Sequence, residues 1–136
     1  MSRIFGLSAA GGLVLGLAGL AGLALAQPAA EAAKGDPAKG EAIFTDQCSA
    51  CHEAKEDLQG PRLGGLIGRK AGSVPGFGYT DALKNSGLTW TPATLDQFLA
   101  DPGKMVPGTS MPASIPDPAQ RRDLVAYLVK LSASGQ

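Results

Sequence analysis

The chain has few of the side chains that build a large core or mark a charged surface. Only 5 % of its 136 residues are aromatic, and 12 basic residues balance 12 acidic ones, so the formal net charge is zero. A small domain with so few aromatic residues has a thin core of its own. The charge balance gives no sign of nucleic acid or an anionic membrane surface as a partner.

Histidine and cysteine are scarcer still. The sequence holds one histidine and two cysteines, all within CSACH, from Cys48 to His52. A structural zinc site lacks its fourth ligand here, and a thioredoxin-like dithiol lacks its βαβ context. A disulfide across two residues would close a loop too short to add much stability. We favour the fourth interpretation, covalent haem attachment, for which C-x-x-C-H is the signature.

In this interpretation Cys48 and Cys51 form thioethers with one haem, and His52 follows as the proximal iron ligand. The absence of a second histidine excludes a bis-histidine site within the chain. Met105 and Met111 are candidates for the sixth ligand, although most methionines simply pack in a core. Met111 lies in VPGTSMP, where proline and glycine favour a rigid strap.

The N-terminal segment is apolar and uncharged from Ile4 to Ala26 and ends in Ala-Leu-Ala. We predict a cleaved signal peptide over residues 1–26 and export to the periplasm. An uncleaved membrane anchor is the alternative, since the run approaches spanning length. Cleavage removes Arg3 and leaves 11 basic and 12 acidic residues, a net charge of −1. Residues 27–35 are predicted to be a disordered lead-in and 36–136 one domain.

Three helix-start signals have the same form, a short polar N-cap followed by proline at the first helical position. They are Asp36-Pro37, Thr91-Pro92 and Asp117-Pro118. The predicted helices cover residues 37–48, 92–100 and 118–131, with a short one near 80–86. Residues 53–79 and 102–116 show no convincing strand, and loops this long are uncommon unless they wrap something.

Six segments add to this pattern. In chain order they are GEAIF, CSACH, GPRLGGLIGRKAG, PGFGYTDALKNSGLTW, PGTSM and RRDLVAYL. Together they resemble class I c-type cytochromes, in the branch of mitochondrial cytochrome c and its soluble bacterial relatives. The resemblance covers residues 40 to 132. It implies a small all-α cytochrome c fold, with four to five helices and long loops wrapped around one covalently attached haem.

The resemblance also implies residue roles. Met111 is expected as the axial thioether, and Pro61 as the carbonyl that accepts a hydrogen bond from His52 Nδ1–H. The residues expected at the haem propionates are Arg69, Tyr79, Trp90 and Thr109. The residues expected where the first and last helices meet are Gly40, Phe44, Leu124 and Tyr127, with Gly40 allowing close approach.

The rim of the expected site departs from the basic mitochondrial branch, in which lysines surround the exposed haem edge. The matching positions here hold Ala42, Gln47, Gly103 and Ser110, and only Lys104 is basic. Docking is therefore expected to depend mainly on short-range apolar packing.

The function predicted from these features is that of a one-electron carrier rather than an enzyme. It would carry one haem c, bound through Cys48 and Cys51 and ligated by His52 and Met111. Its partners would be redox proteins that donate and accept electrons, with no nucleic acid or small-molecule substrate, and the chain would be a monomer. The alternatives are a haem protein with a labile sixth site for gas binding or peroxide reduction, and a membrane-anchored electron relay.

Overall fold

The computed structural model describes residues 35–135. The predicted leader, residues 1–26, and the predicted lead-in up to residue 34 lie outside the described residues. Residues 35–135 form five helices and no strand: α1 Pro37–Gln47, α2 Asp81–Lys84, α3 Pro92–Ala100, α4 Pro102–Met105 and α5 Pro118–Ser134. The all-α prediction is confirmed. None of these helices has the length and apolar character needed to span a bilayer.

The three predicted N-caps are all present. Asp36 Oδ1 accepts a hydrogen bond from the Ala38 amide at 2.9 Å. Asp117 Oδ1 accepts two, from the amides at the start of α5, both at 2.8 Å. Thr91 forms a reciprocal capping box with Thr94 at the start of α3. Each side chain satisfies a backbone N–H that has no partner within its helix, which fixes where the helix begins.

Helix α4 was not predicted. Helix α3 ends at Ala100, as predicted, and the pair that follows it, Asp101-Pro102, starts α4. Asp101 has an extended backbone, and its side chain accepts a hydrogen bond from the Lys104 amide at 3.0 Å. Proline cannot continue a helix but suits the first position of the next one. One Asp-Pro pair therefore separates two helices.

Helix α5 extends three residues past its predicted end at Leu131. Ser132, only 3 % exposed, explains the extension. Its carbonyl accepts from the Gly65 amide and its hydroxyl oxygen from the Ile67 amide, both at 2.9 Å. These contacts with a distant loop hold the last turn in place, and the local sequence pattern carries no sign of them.

The contact between α1 and α5 forms as the resemblance implied. A Cβ atom added to Gly40 would overlap the Asp123 carbonyl of α5 and lie 2.8 Å from Tyr127 Cβ. The rings of Phe44 and Tyr127 pack against each other at an angle of 48°, with their centroids 5.3 Å apart. Leu124 is fully buried. The two helices therefore touch backbone to backbone at Gly40, and α3 also packs against α5.

The long segment between α1 and α3 is held by two sets of hydrogen bonds. Amides of Gly68 and Ala71 donate to carbonyls of Trp90 and Leu88, and the Trp90 amide donates to Arg69, all at 2.8–2.9 Å. The second set is the pair of bonds to Ser132. The segment is thus anchored both near the start of α3 and at the end of α5.

We expect Gly40→Ala to lower the free energy of unfolding by about 2 kcal/mol, because the new methyl group separates α1 from α5. The measurement is chemical denaturation of the holoprotein followed by far-UV circular dichroism. Gly103→Ala is the matched control. It is also a helical position, and its nearest neighbouring atom is 3.7 Å from the added Cβ. Equal stability of the two variants would contradict the close contact at Gly40.

Candidate cofactor site

A cavity of about 420 Å³ lies among α1, α3, α5 and the loops that connect them. Its walls include the apolar side chains of Phe44, Leu95, Phe98, Leu124 and Leu128. Pockets for small molecules and cofactors span roughly 300–1,000 Å³ and are lined mostly by such residues. The main helices therefore turn part of their apolar faces toward a shared space rather than toward one another.

All nine residues predicted for the site line this cavity. They are Cys48, Cys51, His52, Pro61, Arg69, Tyr79, Trp90, Thr109 and Met111. They come from the end of α1, the long loops and the start of α3. The structure thus brings into one place residues that are spread over most of the described chain.

The two cysteines are unpaired and half-buried. Burial, followed by the neighbouring Cys51, raises the pKa of the Cys48 thiol to about 11. Residues 35–135 contain no group of three or more His, Cys, Asp or Glu side chains placed to hold a metal ion. A structural zinc site needs four such ligands, so the described residues lack its ligand set.

His52 is held in one orientation. Its Nδ1 lies 2.9 Å from the Pro61 carbonyl oxygen. Since a carbonyl only accepts, Nδ1 carries the proton and donates it, which leaves the Nε2 lone pair free for a metal. The predicted contact between these two residues is present.

Gly60 was missed by the sequence analysis, although it adjoins Pro61. A Cβ atom at this position would overlap the His52 ring and lie 2.6 Å from both ring nitrogens. Gly60 is buried. Glycine therefore lets the loop lie directly against the imidazole. The available signal was the Gly-Pro pair within GPRLGG, which marks a tight turn but not what it packs against.

Among the described residues that line the cavity, Arg69 is the one with a charged side chain, and two of its nitrogens already donate hydrogen bonds. Nη1 donates to the Gly64 carbonyl and Nη2 to the Arg62 carbonyl, both at 2.8 Å. Burial lowers the pKa of its guanidinium, which nonetheless remains charged. Burial likewise raises the pKa of Tyr79. Arg69 therefore ties the loop together as well as facing the cavity.

The two candidate methionines lie in different places. Met111 lines the cavity, and its amide donates to Thr109 Oγ1 at 3.4 Å. Met105 lines a separate open groove, together with Asp96, Gln97, Ala100, Asp101 and Lys104. Only Met111 shares a cavity with Cys48, Cys51 and His52.

Comparison with known proteins identifies the family to which this chain belongs. A sequence-family model described as cytochrome c matches residues 37–132. The chain belongs to the cytochrome c family. It is 46 % identical over 113 residues to cytochrome c2 of Rhodomicrobium vannielii, covering 80 % of this chain and 90 % of that protein. It is 44 % identical to cytochrome c of Chlamydomonas reinhardtii over 108 residues, covering 76 % of this chain and 96 % of the relative.

A solved structure is also similar. Cytochrome cH from Methylobacterium extorquens matches with a TM-score of 0.67 and 49 % identity, over 71 % of this chain and 99 % of the other. The fold is therefore that of a class I cytochrome c, as the sequence predicted. As a cytochrome c, the protein takes part in electron transport and carries a covalently attached haem c. Cys48 and Cys51 form the C-x-x-C-H attachment pair.

The residues present fit this cofactor. The cavity wall is largely apolar, as a porphyrin requires, and both thiols and the His52 ring reach it. Gly60 leaves room for the imidazole where any other residue would displace it. The size, the apolar wall and the placed side chains of the cavity therefore suit a haem.

We expect the double variant Cys48→Ala, Cys51→Ala to carry no haem through denaturing electrophoresis, because no thioether can form. Haem staining of the gel measures this. Ala50→Ser is the control, since it changes an exposed residue inside the same motif and keeps both thiols. Haem that stayed with the double variant under denaturing conditions would contradict attachment at these cysteines.

Proposed function

We propose that this cytochrome is a soluble one-electron carrier in which His52 and Met111 would hold the haem iron. The observation that carries the proposal is the cavity itself, which His52 and Met111 line together with both attachment cysteines. Histidine with methionine is the ligand pair of electron-transfer cytochromes c, and it raises the reduction potential.

Each residue has a defined task in this proposal. The Pro61 carbonyl holds the His52 proton on Nδ1 and so presents Nε2 as a ligand. Met111 would hold the iron through its sulfur and would leave no open position for gas or peroxide. The haem, when bound, supplies an iron that gains and loses one electron. The chain thus acts as a carrier and not as an enzyme.

The propionate end of the haem would be held by the polar side chains of the cavity. These are Arg69, Tyr79, Trp90 and Thr109. Trp90 is nearly buried, and its ring packs edge-on against Phe98 at 5.0 Å. A rigid indole offers its N–H in a fixed direction. Arg69 keeps its charge in the wall while two of its nitrogens bind loop carbonyls.

The proposed location is the periplasm, on the strength of the Ala-Leu-Ala pattern at the end of the N-terminal apolar run. The proposed partners are redox proteins that deliver and remove single electrons from a monomeric carrier. The similarity to cytochrome c2 of Rhodomicrobium vannielii supports the role of an electron carrier.

We expect Met111→Ala to lose the weak far-red absorption band of the oxidised protein, which reports sulfur bound to iron. Its reduction potential should fall, and its reduced form should bind carbon monoxide. Met105→Ala is the matched control because Met105 lines a different groove. Spectra and a potentiometric titration of both variants check this. Retention of the band in Met111→Ala, or its loss in Met105→Ala, would contradict the ligand assignment.

Among residues 35–135, the exposed side chains that line the cavity carry no charge. The exposed residues that line the cavity are Gln47, Gln59, Ser110 and Pro112. Steering of a partner over long distances requires clustered charge, and it is screened beyond about 8–10 Å at ordinary ionic strength. Docking at this rim would therefore rest on short-range packing, as the sequence indicated.

We expect the rate of electron transfer to change by less than about threefold between low and physiological ionic strength. Stopped-flow oxidation of the reduced protein by anionic hexacyanoferrate(III) and by a cationic cobalt(III) phenanthroline complex measures this. Lys104→Glu should change either rate by no more than a few-fold, close to the effect of Lys130→Glu, which alters the net charge equally. Steep salt dependences of opposite sign for the two reagents would reveal a charged docking patch.

A further inference from the structure

Arg121, in the first turns of α5, joins three parts of the chain. Its Nε donates to Asp96 Oδ1 on α3 at 3.1 Å. Its Nη1 donates to the carbonyls of Ile115 and Pro116, at 2.9 and 2.6 Å. The side chain is only 12 % exposed. Hydrogen bonds from a charged donor in such a sheltered position are among the stronger ones in a protein.

The two carbonyls belong to the segment that contains Met111. We call residues 106–116 the Met111 strap. At its upstream end the Val106 amide donates to Pro102 and the Thr109 amide to Val106, at 2.9 and 3.0 Å. At its downstream end the Ile115 amide donates to the Leu99 carbonyl of α3 at 2.7 Å. Val106 and Ile115 are both buried.

Between these ends the strap has little support of its own. Within residues 35–135, the backbone of residues 110–114 makes one hydrogen bond, from the Met111 amide to Thr109 Oγ1 at 3.4 Å. Pro112 has no amide hydrogen to donate. The position of Met111 therefore depends on how firmly the two ends are held. The guanidinium of Arg121 reinforces the downstream end, four residues from Met111.

We propose that Arg121 is a positioning residue, which clamps the downstream end of the Met111 strap to α3 and α5 and so keeps Met111 in the cavity wall. The inference rests on the proposed function, because holding Met111 in place matters only if Met111 binds the haem iron. Arg121 touches no residue that we place at the haem. Its effect would pass through the Ile115 and Pro116 carbonyls to the strap.

The test compares Arg121→Gln with Arg122→Gln in the holoprotein. Arg122 is the next residue of α5, is exposed, and undergoes the same chemical change. Three quantities are measured: amide hydrogen exchange at Ile115, the affinity of the oxidised protein for imidazole, and the temperature at which the far-red band disappears. Global unfolding is followed separately by far-UV circular dichroism.

In Arg121→Gln we expect faster exchange at Ile115 and about tenfold tighter imidazole binding, since loss of one charged hydrogen bond frees the strap more often. The far-red band should disappear well below the temperature at which the helices unfold. Arg122→Gln should match the unchanged protein. Arg121→Lys should recover part of the effect, because an ammonium group keeps the charge beside Asp96 but lacks the planar fork.

Two results would overturn the clamp. One is that Arg121→Gln behaves like Arg122→Gln in exchange and imidazole binding. The other is that band loss moves only in step with global unfolding, which would make Arg121 an ordinary stabilising residue. Absence of the far-red band from the unchanged protein would instead overturn the ligand assignment, while exchange at Ile115 would still judge the clamp. If Arg121→Gln yields too little holoprotein, Arg121→Lys serves in the same comparisons.

Discussion

The position of α5 is the constraint on which the other parts of the site depend. At Gly40 it meets α1 backbone to backbone, and α1 ends at the residue before Cys48. At Arg121 it holds the Met111 strap, and at Ser132 it holds the loop that follows the attachment motif. One helix thus fixes three segments that approach the cavity from different parts of the chain. Because α5 is the longest helix described, contacts separated along its length can be made by one rigid element.

The two sides of the site are built by different means. Around His52 the support is dense: the Pro61 carbonyl accepts from the ring, and Gly60 lies against its face. Around Met111 it is sparse, and the strap is held mainly at its ends. A histidine needs a defined orientation because its ring presents a lone pair in one direction. A methionine is flexible and unbranched, so its sulfur adapts to a small range of backbone positions. The position of Met111 then depends more on the backbone hydrogen bonds at the two ends of the Met111 strap than on contacts along it.

The sequence predicted well what depends on neighbouring residues. The pairs Asp36-Pro37, Thr91-Pro92 and Asp117-Pro118 located three helix starts, since capping is decided within one turn. CSACH identified the cofactor, because attachment needs three side chains at fixed spacing. The features that were missed depend on contacts distant in sequence. Ser132 extends α5 through bonds to a loop more than 60 residues away, and Gly60 packs against a ring eight positions earlier. Contacts of this kind cannot be predicted from the spacing of residues alone.

Buried residues and exposed residues are under different constraints in this protein. Gly40 and Leu124 tolerate little change, because an atom added at Gly40 would overlap α5 and the side chain of Leu124 is fully buried. Gln47, Gln59, Ser110 and Pro112 meet solvent and are free of that constraint, so they can be tuned to a partner. An uncharged rim forgoes electrostatic acceleration, which leaves association nearer to roughly 10⁵–10⁶ M⁻¹s⁻¹.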